Sequence, residues 1–453
     1  MREAGRAGGL FAPLGATRLT PRAYFRQDEG GGPAHVAGPL FVMKATLDAF
    51  LARYPQLTRL GVAVSGGGDS VALLVAASEL PGLHLEAVTV DHGLRSGSRD
   101  EASQVAAFCA RLGVAHQRLD WLRDAGQRGN LQQAARRARY GLIAGWARER
   151  GLQAVLLGHT LDDQAETVLM RLARGSGVDG LAGMPEETER GGMLWLRPFL
   201  GLKREALRDF LRARNVDWCE DPSNDDTRFQ RVRARRALAV LAPLGIDATG
   251  LAATAGRMRR AREALDAQTD AALRDLARDD RGTVLVSRLA LSLTPEIRDR
   301  LFARLATGLS GAEHPPRLAG LQRWIVEGEG AFMGCLMRAE GTGLRLFREY
   351  RAVADVTAPA NALWDGRWQA SGGEGGEMRA LGPDGLRQLS AQARAGLHPH
   401  WRDSGLPEAA LKATPGLWCD ARLIAAPLAL WPNGWHIAAR PVVTLPPSAA
   451  LSH

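Results

Sequence analysis

One stretch narrows the fold more than any other. Residues 61–74 read Gly-Val-Ala-Val-Ser-Gly-Gly-Gly-Asp-Ser-Val-Ala-Leu-Leu, a short apolar run, three consecutive glycines, then an apolar helical pattern. Strand, Gly-rich turn and helix in immediate succession is how a βαβ unit begins. The alternation continues downstream. Hydrophobic periodicity predicts strands over 61–64, 83–90, 114–119 and 154–157, with helices over 69–80, 100–112, 131–150 and 161–173. Strands that alternate with helices specify an α/β fold built on a doubly wound parallel sheet. Such sheets bind ligands outside the carboxyl ends of their strands, so the segments that follow those ends hold the chemistry.

The pattern does not persist. At 453 residues the chain is long enough for about three domains. Residues 246–310 carry Ala, Leu, Arg and Asp at helical spacing, and from about residue 341 short β-rich runs sit between Gly, Pro and Trp. The expected organisation is a catalytic sheet domain over 43–244, a helical domain over 245–340 and a small mixed α+β C-terminal domain over 341–453. Residues 1–42, rich in Gly, Ala, Pro and Arg without a sustained period, read as a disordered tail or as a start that belongs at Met43. They contain no apolar core of a signal peptide. Nowhere does an apolar run approach the ~20 residues of a membrane helix. The four cysteines, Cys109, Cys219, Cys335 and Cys419, form no CxxC pair and no metal-ligand spacing. Together these features predict a cytoplasmic protein with no membrane association and leave its oligomeric state open, a homodimer included.

Charge points to a class of partner. The chain has 58 basic residues against 49 acidic ones, a net charge of +9, and only Lys44, Lys203 and Lys412 among the cations are lysines. A preference for Arg over Lys is what a GC-rich genome produces. The net excess is a separate matter: it attracts polyanions, and guanidinium pairs with phosphate in a two-pronged fork.

The glycine loop itself can hold phosphate. Without Cβ atoms its backbone N–H groups can close on an anion, at the positive end of the helix dipole. Ser65 and Ser70 add hydroxyls. A carboxylate is out of place beside a phosphate unless a cation or a proton is involved, so Asp69 points to Mg²⁺ coordination or proton transfer. The loop is not GxxxxGK[ST], nor is it GxGxxG followed by an acidic residue. Beyond the fourth strand, Gly158-His159-Thr160-Leu161-Asp162-Asp163-Gln164-Ala165-Glu166 opens the next helix. Asp163 and Glu166, three apart, share one face of its first turn, where they suit a cation (a metal or an amino group) or simply compensate the helix dipole. Asp162 reads as the cap. His159 lies at the crevice mouth, as a structural histidine or as a neighbour of a nucleotide. His92 and Arg95, after the second strand, suit a phosphate or carboxylate, or belong to a solvated loop.

Ser65-Gly-Gly-Gly-Asp-Ser70 resembles the SGGxDS loop of the N-type ATP pyrophosphatases, the PP-loop family with an adenine nucleotide α-hydrolase-like fold. Three further segments narrow the resemblance: Asp91-His-Gly-Leu-Arg95, Gly158 to Thr167 leading to Arg174-Gly-Ser-Gly177, and Trp218-Cys-Glu-Asp-Pro-Ser-Asn224 with the run from Arg228 to Arg236. With Arg197-Pro-Phe-Leu200 and an RxxRY pattern at Arg136, Arg139 and Tyr140, they resemble the tRNA(Ile)-lysidine synthetases. The match is good over about 58–245 and loose beyond, where it includes Trp364-Asp-Gly-Arg-Trp368. The family has Arg-Asn-Arg where this chain has Arg231-Val232-Arg233.

The resemblance implies a ligase. ATP and Mg²⁺ would adenylate the wobble cytidine of an isoleucine tRNA with a CAU anticodon, and free L-lysine would then displace AMP to leave lysidine. It assigns ATP binding to Ser65, Gly66, Gly67, Gly68, Asp69, Ser70, His92 and His159. Lysine binding falls to Asp163, Glu166 and Arg139, and tRNA contact to Arg228, Arg231, Arg233, Arg235 and Arg236. Asp69, Asp163 and His159 would be catalytic, and Asp69 would also hold Mg²⁺. A second basic cluster, Arg257, Arg259, Arg260 and Arg262, is another candidate tRNA contact. The rivals are a tRNA thiolase with the same loop, for which suitably spaced cysteines are missing, and a tRNA-binding module without catalysis, against which the intact loop speaks.

Overall fold

The structure, a computed structural model, describes residues 39–93, 98–121, 131–220, 226–312, 314–373 and 375–443. Residues 1–38, Arg95 and residues 221–224 lie outside them. After α1 (Pro39–Leu51) the chain alternates through β1 (Arg59–Ala63), α2 (Gly68–Ser78), β2 (His84–Asp91), α3 (Ser98–Arg111), β3 (Ala115–Asp120), α4 (Leu131–Glu149), β4 (Ala154–Leu157) and α5 (Leu161–Leu172). The predicted strands and helices of this region are all present, with ends that differ by one or two residues. Then come α6 (Val178–Leu181), β5 (Glu187–Arg190), β6 (Met193–Leu196) and α7 (Arg204–Arg212).

The six strands form one sheet in the order β3-β2-β1-β4-β6-β5, parallel except for β5. Both faces are covered, as a parallel sheet requires. Leu60, Val62 and Val64 pack with α1, α2, α3 and α7 on one side. Val88, Val155, Leu157 and Trp195 pack with Tyr140, Ile143 and Ala147 of α4 on the other. The strand order reverses direction between β1 and β4, so a crevice opens beyond their carboxyl ends. The glycine loop follows β1 and Gly158-His159 follows β4, and both therefore border that crevice.

Past α8 (Gln230–Leu241) runs α9 (Ala248–Leu276), a helix of 29 residues capped by the Asp247 side chain, which accepts from the Gly250 N–H at 2.7 Å. It packs on α5 and α6 near its start and on α10 (Pro295–Ser310) further along. Buried arginines of α10 lock this junction. Arg300 pairs with Asp179 of α6 at 2.6 Å and with Asp266 of α9 at 3.2 Å, while Arg304 pairs with Asp266 at 2.7 Å and with Asp270.

The helical reading of 246–310 needs one correction. Residues 277–287 form a hairpin, β7 (Ala277–Asp280) and β8 (Thr283–Ser287), turned by Arg281 and Gly282, both at positive φ. After α11 (Leu318–Glu327), strands β9 (Gly330–Phe332), β10 (Cys335–Glu340) and β11 (Gly343–Arg348) complete an antiparallel sheet in the order β7-β8-β11-β10-β9. The alternating Val284 and Val286 are buried there against Leu301, Leu305 and Leu346. Four short helical residues, α12 (Tyr350–Val353), lead into the last region. It holds a four-stranded sheet of β12 (Thr357–Pro359), β14 (Glu377–Ala380), β15 (Pro415–Cys419) and β16 (Arg422–Ala425), and a pair of β13 (Trp368–Ser371) with β17 (His436–Ala439). Helices α13 (Gly382–Arg394) and α14 (Glu408–Lys412) accompany them around buried Trp364, Trp401 and Trp418. Among the described residues, no single helix is long and apolar enough to cross a membrane.

Candidate active site

The glycine loop is held by its own serine. The Ser65 N–H donates to Ser70 Oγ at 3.1 Å, and Ser70 Oγ donates to Gly67 O at 2.9 Å, so Ser70 closes the turn from inside and is buried. Gly66 takes φ +86°, a left-handed conformation that suits glycine, and its carbonyl accepts from the Cys219 N–H at 2.9 Å. A Cβ on Gly68 would meet the Trp218 indole at 3.3 Å. Trp218 and Cys219 thus brace the loop from outside, a role that sequence reading did not assign.

Gly158 joins the two halves of the site. A Cβ there would lie 2.8 Å from the carbonyl oxygen of Asp69 and 3.0 Å from Ser70 Cα, both backbone atoms. Only glycine lets the end of β4 come this close to the start of α2. The approach puts Asp69 beside the first turn of α5.

Asp163 serves two partners. Its Oδ2 accepts from the N–H and the hydroxyl of Thr160, both at 2.9 Å, which closes the N-terminus of α5. Its Oδ1 faces Arg204 at 3.3 Å. Asp162, read as the cap of this helix, instead caps another: its Oδ2 accepts from the Arg204 N–H at 2.7 Å, at the start of α7. The reason is that the N3 position reaches back to Thr160 and the N2 position points across to the neighbouring helix. Glu166 is 1% exposed. Its Oε1 accepts from Arg235 Nε at 2.9 Å, with Arg204 3.6 Å away, and its Oε2 is buried with no hydrogen-bond partner.

Arg204 is the central residue that sequence reading missed. Its Nε donates to Asp69 Oδ2 at 2.9 Å while its other nitrogens face Asp163 and Glu166. Burial pushes the Asp69 carboxyl up and Arg204 opposes the shift without cancelling it. On Arg204 burial acts against the charge, but Asp163 and Asp69 outweigh it, and the guanidinium is raised above its ordinary value.

The other side of the crevice is basic. Arg136 and Arg139 of α4 are held below their ordinary values, first by burial and then by the charges of neighbouring arginines, Arg231 among them for both. Arg136 and Arg190 stack over the Tyr140 ring at 5.3 and 5.0 Å. Burial pushes His92 down and the charge of Arg139 adds to it, so His92 stands on this basic side. His159 lies between the two sides, within the fields of Asp163, Arg197, Arg231 and Arg136. Burial pushes its pKa down to about 3, so the ring is neutral near pH 7, with Nδ1 buried and unpartnered.

A histidine held below its unfolded value of 6.5 costs stability as pH falls, because only the unfolded chain takes the proton. The loss begins near pH 6.5 and continues toward pH 3. His159→Gln is therefore expected to show a smaller drop in urea midpoint between pH 7 and pH 5 than the parent protein. An equal drop in both would exclude His159 as the source.

The arginine run divides between the site and the surface. Arg231 and Arg235, four apart on α8, turn inward, Arg235 onto Glu166 and Arg231 toward His159 and Asp163. Arg228 pairs with Asp226, and Arg228, Arg233 and Arg236 are exposed. In the second basic cluster, Arg259 and Arg262 reach Glu186 and Asp266, whereas Arg257 and Arg260 are exposed. Among the described residues, no group of three His, Cys, Asp or Glu side chains is placed to hold a metal ion.

A family model described as the PP-loop domain matches residues 41–241, the segment that contains the whole crevice. The chain is 48% identical over 396 residues to the tRNA(Ile)-lysidine synthase of Ruegeria pomeroyi, covering 85% of this chain and 92% of that one. To the tRNA(Ile)-lysidine synthases of Methylobacterium nodulans and Rhizobium meliloti it is 43% and 39% identical, covering 63% and 70% of this chain and 83% and 74% of theirs. The matched span carries the glycine loop, the acidic turn of α5 and the arginines of α4 and α8, and the chain belongs to the tRNA(Ile)-lysidine synthase family of PP-loop proteins.

Proposed function

We propose that this chain is an ATP-dependent ligase that joins free L-lysine to C2 of the wobble cytidine of isoleucine tRNA with a CAU anticodon, changing its codon from AUG to AUA. The observation that carries the reading is the two-sided crevice. Asp163 and Glu166 present carboxylates on one side, Arg136 and Arg139 present guanidiniums on the other, and the charge of Arg231 is felt by both. A free amino acid with a side-chain amine has complementary charges at its two ends, and Glu166 Oε2 is a buried acceptor that meets no donor within the protein. The glycine loop fits a pyrophosphate on the same argument of close backbone approach.

In the first step the cytosine O2 attacks the α-phosphorus of ATP, and pyrophosphate leaves from the Ser65–Ser70 side. In the second the lysine Nε attacks C2, its proton passes to a carboxylate, and AMP leaves with O2. Asp69 is the proposed base, because burial raises its pKa toward the range in which a carboxylate can take a proton. Asp163, with one oxygen committed to Thr160, would orient the amine, and neutral His159 would adjoin the nucleotide with His92. With no cluster of ligands among the described residues to hold a metal by itself, Mg²⁺ would be bound by Asp69 together with the ATP phosphates, where it supplies charge neutralisation. Catalysis would fall to residues 43–244, with tRNA contact from the arginines between Arg228 and Arg236, and the grip on the rest of the tRNA to 245–340 and 341–453.

Purified protein, ATP, Mg²⁺, labelled lysine and the CAU transcript test this. Lysine incorporation that depends on the wobble cytidine is the expected result, and sulfur incorporation or tRNA-independent ATP cleavage would overturn it. The exposed arginines make a separate prediction. Arg233→Ala with Arg260→Ala is expected to weaken tRNA binding across sequences and to flatten the slope of log K against log salt by about one for each phosphate no longer neutralised. An unchanged slope in filter binding would remove these residues from the interface.

A further inference from the structure

The acidic side of the crevice contains its own cation. Arg204 is the first residue of α7, and its backbone is anchored by the bond to Asp162, so the helix start aims the side chain into the site. There one guanidinium faces three carboxylates: Asp69 at 2.9 Å, Asp163 at 3.3 Å and Glu166 at 3.6 Å. Arg235 adds a second cation at 2.9 Å from Glu166. With Asp162, whose charge acts on Asp69, and Arg231, whose charge acts on Asp163, four carboxylates face three guanidiniums, which leaves one negative charge unmatched. Glu166 Oε2, buried and unbonded, is an atom on which that charge can be met.

Formal charge decides what such a site accepts. A divalent cation needs several oxygen ligands with matching negative charge. Here Asp69 Oδ2, Asp163 Oδ1 and Glu166 Oε1 already face arginine nitrogens, and one remaining charge matches one ammonium group. We propose that Arg204 is the specificity-determining residue of this pocket: it sets Asp163 and Glu166 to accept a single monovalent amine and keeps a divalent cation out of the space between those two acids. The proposal rests on the reading of lysine as the substrate and adds the element that distinguishes an amine site from a metal site built of the same acids.

The test compares the full-length protein with Arg204→Gln and Arg204→Lys, both of which keep the backbone bond to Asp162. Calorimetric titration with Mn²⁺ alone, in the absence of ATP, is expected to show one new saturable site per chain in Arg204→Gln. The parent and Arg204→Lys should lack it, and adding Glu166→Gln should abolish it. In the complete reaction, Arg204→Gln is expected to raise the lysine KM about tenfold or more, with a smaller fall in tRNA-dependent pyrophosphate release and partial rescue by Arg204→Lys. Arg204→Gln that binds no more Mn²⁺ than the parent and keeps its lysine KM within about twofold would overturn the proposal. If the parent itself incorporates no lysine, the substrate reading fails, and the Mn²⁺ comparison still decides what Arg204 does.

Discussion

Asp69→Asn is expected to lower product formation by about three orders of magnitude or more while tRNA affinity stays within about twofold, the size of effect expected when a group loses both a proton-transfer role and an electrostatic one. The substitution keeps the shape of the side chain and removes its charge and its capacity to take a proton. Asp69 is half-buried behind the phosphate loop and is not among the exposed residues that an RNA backbone would meet. Its loss should therefore separate turnover from binding. An amide would still accept from Arg204 Nε through its oxygen, so the architecture around the guanidinium should survive. Filter binding and a labelled-lysine assay on the same preparation decide the matter, and near-normal turnover would remove Asp69 from its proposed role.

Gly158→Ala should be nearly as damaging, although no reacting atom belongs to it. The new methyl would sit 2.8 Å from a backbone carbonyl oxygen, which cannot rotate out of the way as a side chain could. Either β4 or the start of α2 must move by several tenths of an ångström, and the loop carrying Asp69 moves with it. Overpacking of this kind costs about 1–3 kcal/mol in stability. Misplacement of a catalytic group by about 1 Å can cost about a hundredfold in rate. A fall in turnover much larger than the fall in melting temperature is the expected pattern. Normal turnover at full stability would show that the close approach at this junction does not position Asp69.

The parts of the molecule that could be read in advance are those whose determinants are close in sequence. Strands β1 to β4 and helices α2 to α5 show their period in the chain, and the glycine run sits where its backbone geometry is needed. Asp163 and Glu166 fall on one face because helical spacing puts them there. The hairpin of β5 and β6 escaped although its signal was present: Gly191-Gly192, both at positive φ, is a two-residue turn of the kind that joins antiparallel strands. The 277–287 hairpin was hidden by Ala, Arg and Asp around it, and its valines become informative only once β11 lies beside them.

Arg204 was not legible at all. It meets Asp69 across 135 residues of chain, and nothing in Lys203-Arg204-Glu205 distinguishes a buried guanidinium from an ordinary helix start. The same holds for Arg235. A run of arginines reads as a solvated face, and only folding shows that the residue four beyond Arg231 ends on a carboxylate that is 1% exposed.

The long helix α9 works as a ruler between the crevice and the second sheet. Its 29 residues span about 43 Å at 1.5 Å per residue, with α5, α6 and α10 all packed on it and Arg300 of α10 joining Asp179 of α6 to Asp266 of α9. Because each residue also adds about 100° of rotation, a single insertion would swing Asp266 and Asp270 away from Arg300 and Arg304. Even a seven-residue insertion ahead of Asp266, which restores the facing of the helix, would shift that acid by about 10 Å along the axis, so Arg300 could no longer hold both Asp179 and Asp266 and the length of α9 is fixed by this bridge.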